Sequence, residues 1–434
     1  MSDENDVVVI GAGVIGASVA LELARSGRNV LVLDKGGAPG AGSTSSSSAI
    51  IRFSYSTLDA VLTAWESAQL WRNWADHCGH VDSDGMAQFY ETGNLIFQTT
   101  GYDARSTLAA WDEIGIPYEL LSPDEIQQRF GYLDTGRFYP PKRIDDPEFA
   151  ADPDGDIGAY FNAESGFIDD PMLAAHNLAN AAKLEGGRFR FNTEVVGFEK
   201  AAGRVTGVRL SSGETIAASV VINVAGPHSR LINELAGVRE DMAVSHRALR
   251  QEVFVAPAPA GFDMADRSAP VIADLDLGQY FKPQLGNQIL IGGAEPECDE
   301  LEWIEDPDDF RDRPTVEHWE TSMYRAARRI PGLGIPHKPN GLAALYDASD
   351  DWVPIYDKSS LGGFFMACGT SGNQFKNAPL AGKFMLAIVD AADRGIDHDV
   401  EPVEFTGPTT GRSIQLSSFS RNRIPATTTG TVMG

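Results

Sequence analysis

Short unbroken apolar runs and glycine turns alternate along the first forty residues. Val7-Val-Val-Ile10 and Val30-Leu-Val-Leu33 lack the alternating polar positions of a half-exposed strand. Each therefore predicts a parallel strand buried on both faces. Between them, Gly11-Ala-Gly13-Val-Ile-Gly16 opens a helical stretch to about Ser26, which Gly27 stops in the C′ position. Further along, residues 186–225 predict short strands separated by turns at Gly186-Gly187, Ala201-Ala-Gly203 and Ser211-Ser-Gly213, ending in the buried run 219–225. Residues 247–256 and 287–293 predict strands of an antiparallel sheet. Phe364-Phe-Met-Ala-Cys368 predicts one more buried strand, which enters Gly369-Thr-Ser-Gly372 and then a helix to about Asp390.

The first unit carries candidate chemistry. Gly11 permits a tight turn, Gly13 lets backbone approach a pyrophosphate, and Gly16 lets helix and strand pack closely. The helix N-terminus offers free N–H groups and a positive dipole end to phosphates. Asp34 closes the second strand, where it can accept hydrogen bonds from an adenosine ribose. Strand, glycines, helix and terminal acid in register predict a dinucleotide site. The plain alternative is an ordinary βαβ turn. No second GxGxxG follows, so a separate nicotinamide site has no support. The small-residue loop at 40–49 can lie flat against an extended cofactor or act as a serine linker. The Trp-rich helical segment after it (Trp65, Trp71, Trp74) favours the former.

Composition narrows the classes. The chain of 434 residues is long enough for two or three domains. Its 61 acidic against 35 basic residues leave a formal charge of −26, which repels phosphate backbones and excludes nucleic-acid binding through a basic face. Cys78, Cys298 and Cys368 are too few and too scattered for a disulfide framework or a zinc site, and no metal is expected. No apolar run reaches bilayer length, and the acidic start lacks the basic region of a signal peptide, so a cytoplasmic protein without a membrane span is expected.

Four segments carry a resemblance. They are the N-terminal fingerprint with Gly42-Ser-Thr and Ile51-Arg52-x-x-Tyr55; Gly166-Phe-Ile-Asp169-Asp-Pro171 with the helical stretch after it; Val220-Val-Ile-Asn-Val-Ala225-Gly226-Pro; and Gly341-Leu-Ala-Ala344-Leu-Tyr346-Asp347 with Gly362 to Lys376. Together the chain resembles the FAD-dependent amine and amino-acid oxidoreductases of the D-amino-acid-oxidase superfamily, nearest to the sarcosine oxidase and dimethylglycine dehydrogenase types. The resemblance implies an α/β, Rossmann-like FAD-binding domain, with an inserted substrate domain built on an antiparallel β-sheet. The implied boundaries are 1–85, 155–230 and 340–400 for the FAD domain, 86–154 and 231–339 for the substrate domain, and 401–434 for a tail, loosely ordered toward its end.

Fingerprint and resemblance together put cofactor contacts at Gly11, Gly13, Gly16, Asp34 and Lys35, then at Ser43, Thr44 and Ser45 of the small-residue loop. Val195, Ala225 and Gly226 follow, and the late glycine loop adds Gly369, Gly372, Asn373, Phe375 and Lys376. The helix behind that loop would turn its positive end to the reduced flavin. Arg52 and Lys376 match positions that hold the substrate carboxylate in the sarcosine oxidase family, where a planar cationic fork suits a carboxylate. The other readings are a phosphate or structural partner for Arg52 and a solvated lysine in the first helical turn for Lys376. Tyr55 and Tyr280 are candidates to bond substrate or to form an aromatic wall. His228 and His246 receive no proton-transfer role.

Departures from the family also matter. Ala344 and the run Ser45-Ser46-Ser47-Ser48 stand where relatives attach FAD through cysteine or histidine, so non-covalent FAD is expected. The strand at 288–293 has no lysine to assist oxygen, which Lys282 does not align to replace. That leaves O2 and an electron carrier both open as acceptors. The reaction implied is oxidation of a small secondary or tertiary amino acid, N-methylglycine-like, by hydride transfer to flavin N5. The resulting imine hydrolyses. A 2-hydroxy-acid oxidoreductase and a flavin-binding electron-transfer subunit of a complex are the alternatives. Homo- and hetero-oligomers both stay open. The acidic stretch 397–401 reads as a solvated loop.

Overall fold

The computed structural model describes residues 5–100, 102–265 and 268–434. Two large sheets organise it. In the first, Asn5–Ile10 pairs in parallel with Val30–Leu33 on one side and Thr215–Asn223 on the other. Arg188–Arg190 and Phe364–Cys368 extend this parallel set outward, and Ile355–Lys358 closes one edge antiparallel. The hairpin Val195–Ala201/Arg204–Leu210 continues from the start of the long strand Thr215–Asn223. The apolar runs are buried on both faces as their sequence requires, because helices cover one side and the hairpin and its cluster the other.

Helix Val14–Arg25 is buried along nearly its whole length. It packs against helices Pro171–Leu184 and Ala378–Asp393 as well as the sheet. The approach of the last pair is close: a Cβ on Gly382 would fall 2.5 Å from the Ser18 carbonyl oxygen. Helix Leu58–Arg72, capped by Thr57, adds Trp71, which stacks on Trp74 with ring centres 4.1 Å apart.

The second sheet has nine strands, among them His246–Pro257, Gln279–Gln284, Gln288–Gly293 and Gly341–Ser349. It is antiparallel except where Val271–Asp274 runs alongside Asn94–Phe97. Ala159–Asn162 and Gly341–Ser349, which lie in stretches assigned from sequence to the FAD domain, pair within this sheet instead. Under it sits a separate apolar cluster that includes Phe97, Phe130, Phe254, Phe281 and Trp319. At its edge the fully buried Arg329 donates from Nε to Asp274 at 2.7 Å and from Nη2 to Asp276 at 3.1 Å. Removing one partner of so buried a pair leaves a bare charge, at a cost of about 3–5 kcal/mol.

Three local readings from sequence are corrected. The late helix does not begin directly after Gly372. Phe375–Asn377 forms a 3-10 turn and the α-helix is Ala378–Asp393, because Pro379 lacks an N–H and is tolerated only in the first turn. Residues 397–401 are not simply solvated: Asp399 takes a forked contact from Arg421 and pairs with Lys358. The stretch from 406 onward is built into the fold. Glu404–Thr406 pairs with Ser413–Gln415, Leu416 and Phe419 are buried, and Arg423 pairs with Asp351 at 2.7 Å. Cys78, Cys298 and Cys368 are free thiols. Among the described residues, no helix is long and apolar enough to cross a membrane.

Candidate active site

A cavity of about 820 Å³ lies between the two sheets, with walls drawn from residue 10 to residue 433. Its floor is the glycine turn. Gly11 has φ +107, and a Cβ there would lie 2.3 Å from the Val224 carbonyl oxygen. A Cβ on Gly16 would lie 2.0 Å from the Gly11 carbonyl oxygen, so helix and strand meet only because both residues are glycine. Gly13 differs. Its φ is an ordinary −64°, and only the Thr44 hydroxyl, at 3.2 Å, would be near its Cβ. That glycine keeps the cavity floor open. Asp34 accepts from the N–H groups of Ala12 and Gly36, both at 2.6 Å, which fixes the turn and leaves a lone pair on each oxygen.

The small-residue loop forms the next wall. Thr44 Oγ1 accepts from Val14 N–H at 3.1 Å, and Ser43 donates to the Leu345 carbonyl at 2.7 Å, tying the loop to the second sheet. Ser45, Val195, Ala225 and Gly226 line the same space. Lys35 stands at the rim in a cluster with Asp308 and His228. These contacts hold Asp308 below the usual carboxylate range, the Lys35 bond being the main cause. This cradle fits an extended dinucleotide: the glycines clear the floor, helix N–H groups face it, and the acid is held at the strand end.

The opposite end gathers the candidate substrate groups. Arg52 and Lys376 both line it and both flank the Tyr55 ring. Arg52 gives one guanidinium nitrogen to the Ser54 carbonyl and the other to the Val432 carbonyl at 2.6 Å. Lys376, 3 % exposed, donates to the Tyr55 hydroxyl at 2.9 Å and to the Asn373 carbonyl at 2.8 Å. It is not the solvated lysine of the plain reading. Burial first and Arg52 second push its pKa well below the ordinary lysine value. Tyr55 donates to the same Asn373 carbonyl at 2.7 Å, and burial pushes it up to about 12. Phe375 stacks on Trp71, whose indole N–H reaches the Lys376 carbonyl.

Tyr280 and Tyr346 form an aromatic wall. Tyr280 lies over Gly292, where a Cβ would meet its ring at 2.2 Å, and shares a 2.8 Å hydrogen bond with Ser48. Tyr346 lies over Gly372 in the same way, with φ +67 at that glycine. Lys282, two residues beyond Tyr280 in the strand, is buried over the Phe167 ring and is not among the cavity-lining residues. Behind the late glycine loop, Asp347 accepts from Gly369 N–H at 2.7 Å and shares a 2.6 Å bond with buried His246. Burial opposes a charge on His246, but the contacts with Asp347 and Cys368 outweigh it and raise its pKa. Of the candidate cofactor and substrate residues named from sequence, Tyr55 and Gly369 are not among the cavity-lining residues; the others line the cavity.

Sequence reasoning did not reach several groups. Asn94 lines the cavity, is 1 % exposed, and neither amide atom has a partner. Glu295, with φ +44, follows the Gly292-Gly293 strand end, and Val432 and Met433 return from the far end of the sequence to the cavity wall. The strand read from sequence at 287–293 ends beside this corner, but nothing in its local pattern singles out these residues.

The family described as FAD dependent oxidoreductase (DAO) matches residues 6–388. The chain is 26% identical to a sarcosine oxidase subunit beta from Arthrobacter sp over 395 residues, covering 89% of this chain and 87% of the relative. It is 24% identical to a glycine oxidase from Geobacillus kaustophilus, covering 92% and 96% of the two chains. Among solved structures, L-proline dehydrogenase from P. horikoshii superposes with a TM-score of 0.71 at 22% identity, covering 92% of this chain and 95% of that one. That likeness is one of fold. With the family match spanning most of the sequence and a cradle of matching chemistry beneath it, the chain belongs to the DAO family of FAD-dependent oxidoreductases, enzymes that use FAD as cofactor.

Proposed function

We propose that the protein oxidises a small α-amino acid bearing a secondary or tertiary nitrogen, such as an N-methyl amino acid. The observation that carries this reading is the pairing of Arg52 and Lys376 around Tyr55 at one end of a cavity whose other end is the dinucleotide cradle. The relatives named sarcosine oxidase and glycine oxidase support it. FAD bound there supplies the two-electron acceptor for hydrogen removed from the carbon beside nitrogen. The chain's own groups do the positioning. Arg52 and Lys376 draw in and hold the substrate carboxylate, and Tyr280 and Tyr346 confine the rest of the molecule against the cofactor side. The imine product then hydrolyses in water.

No protein nucleophile enters this scheme. Cofactor contacts are proposed at the cradle residues Gly11, Gly13, Asp34, Ser43 and Thr44 and at the late loop from Gly372 to Lys376. FAD is proposed to be held without a covalent bond, since Ala344 and Ser45 to Ser48 line the cavity where an attaching side chain would stand. Denaturation in acid is expected to release all the flavin into solution; flavin that stays with the precipitate would contradict this.

The test of the substrate end is Arg52→Ala. Loss of a charge-assisted contact of about 1.5–3 kcal/mol should raise KM for the amino acid by roughly ten- to a hundredfold while FAD affinity stays unchanged. Equal loss of both would move Arg52 to the cofactor.

A further inference from the structure

Residues 423–428 are anchored on Asp351: Arg423 pairs with its carboxylate, Ala426 N–H donates to it at 3.0 Å, and the Thr428 hydroxyl donates to its carbonyl. After the exposed Gly430, with φ +68, the chain turns inward. There Val432 is held at both ends of its own backbone. Its N–H donates to Glu295 Oε2 at 2.7 Å, and its carbonyl accepts from Arg52 Nη2 at 2.6 Å and from Asn373 Nδ2 at 3.3 Å. Its side chain rests on an apolar cluster with Leu249, Trp303 and Tyr346.

The N–Cα–C=O path of Val432 is the bond path of a free α-amino acid. The acceptor for its nitrogen and the donors for its carbonyl are therefore spaced for such a molecule. Its nitrogen carries one hydrogen and one substituent, the Thr431 carbonyl carbon. Glu295 adds a second observation. It sits in the left-handed region that non-glycine residues avoid, and its other oxygen is buried without a partner. Val432 lines the cavity and Glu295 does not, so the strap covers this carboxylate.

We infer that the backbone of Val432 stands where the substrate binds, and that Glu295 is the residue that receives the substrate nitrogen opposite Arg52. The substrate class is then an N-substituted α-amino acid with an apolar side chain, and residues 431–434 must swing out about Gly430 to admit it. This rests on the amino-acid reading of the cavity. Burial pushes the Glu295 carboxyl up to about 8, within reach of proton exchange with an ammonium group. That exchange converts substrate ammonium and Glu295 carboxylate into neutral amine and carboxylic acid, with no other reactant.

The test uses N-acetyl-L-valine, which copies the strap and, as an amide, is not an amine substrate. Its binding to the FAD-loaded protein is followed by calorimetry. A chain ending at Thr429 should bind it at least about tenfold more tightly than the full chain, because the site is no longer occupied from within. Val432→Pro, which removes the N–H but keeps the strap, should shift affinity in the same direction and serves if the shortened chain does not fold. In either background, Glu295→Ala should weaken N-acetyl-L-valine about tenfold and leave acetate, which has no nitrogen, unaffected. Unchanged affinity after opening the strap, or equal weakening of both ligands by Glu295→Ala, would overturn the inference. Amino-acid oxidation is read separately from flavin bleaching. Tight binding without bleaching by any amino acid would therefore retire the proposed reaction and leave the binding site standing.

Discussion

Lys376 is a buried cation without a carboxylate among its hydrogen-bond partners. Its ammonium group is buried beside Arg52, and its hydrogen-bond acceptors are the neutral Tyr55 hydroxyl and a carbonyl. Both influences disfavour the charged form, so its pKa is depressed in the ligand-free protein. A carboxylate arriving at Arg52 and Lys376 would restore the charge and raise that pKa. Between the free and bound pKa values, binding must then take up a proton, and affinity must fall as pH rises through that window. Calorimetry of acetate binding in buffers of different ionisation enthalpy should show net proton uptake; binding without uptake would mean that Lys376 does not meet the carboxylate.

The glycine turn makes a second argument, at the scale of an element. Gly11 and Gly16 are required by the backbone itself, so replacing either disturbs strand and helix together. Gly13 is not, since its φ suits any residue and the space beside it is the cavity. Gly13→Val should therefore fold with a similar thermal midpoint while its flavin content and FAD affinity collapse. Full flavin occupancy in that variant would place the cofactor elsewhere. The same element explains what could be read from the sequence. The βαβ unit is local: two apolar runs, three glycines and an acid at fixed spacing, whose meaning needs no distant contact. The late loop was also legible as strand, glycines and helix. The α-helix itself starts several residues after the glycines, at Ala378, because Pro379 fits only its first turn. The turn between them is set by Asp347, twenty-two residues earlier, holding Gly369 from below. Nothing local announces such a contact.

At the scale of the whole molecule the cavity belongs to neither sheet alone. Its floor comes from the parallel sheet, its aromatic wall from the antiparallel one, and its closure from residues 432 and 433. Arg52 and Lys376 could be named from sequence because short motifs surround them. Asn94, Glu295 and Val432 could not. Asn94 is an ordinary strand residue until Val271–Asp274 pairs beside it, Glu295 is distinguished by a backbone angle, and Val432 by a return path of the chain. Thus the glycine turn and the two cations were readable, because short local motifs mark them, and the wall around Asn94, Glu295 and Val432 was not, because it is assembled from remote segments.

The central claim joins those halves: a cofactor cradle at one end of a cavity and an amino-acid carboxylate site at the other. The most direct test is the visible spectrum of the purified, FAD-loaded protein under anaerobic conditions, before and after adding N-methyl amino acids and 2-hydroxy acids. The account predicts that the oxidised flavin band bleaches with an N-methyl amino acid and not with a hydroxy acid, and admission of air then shows whether O2 serves as acceptor. A band that only a 2-hydroxy acid bleaches, or that no amino acid changes, would contradict it.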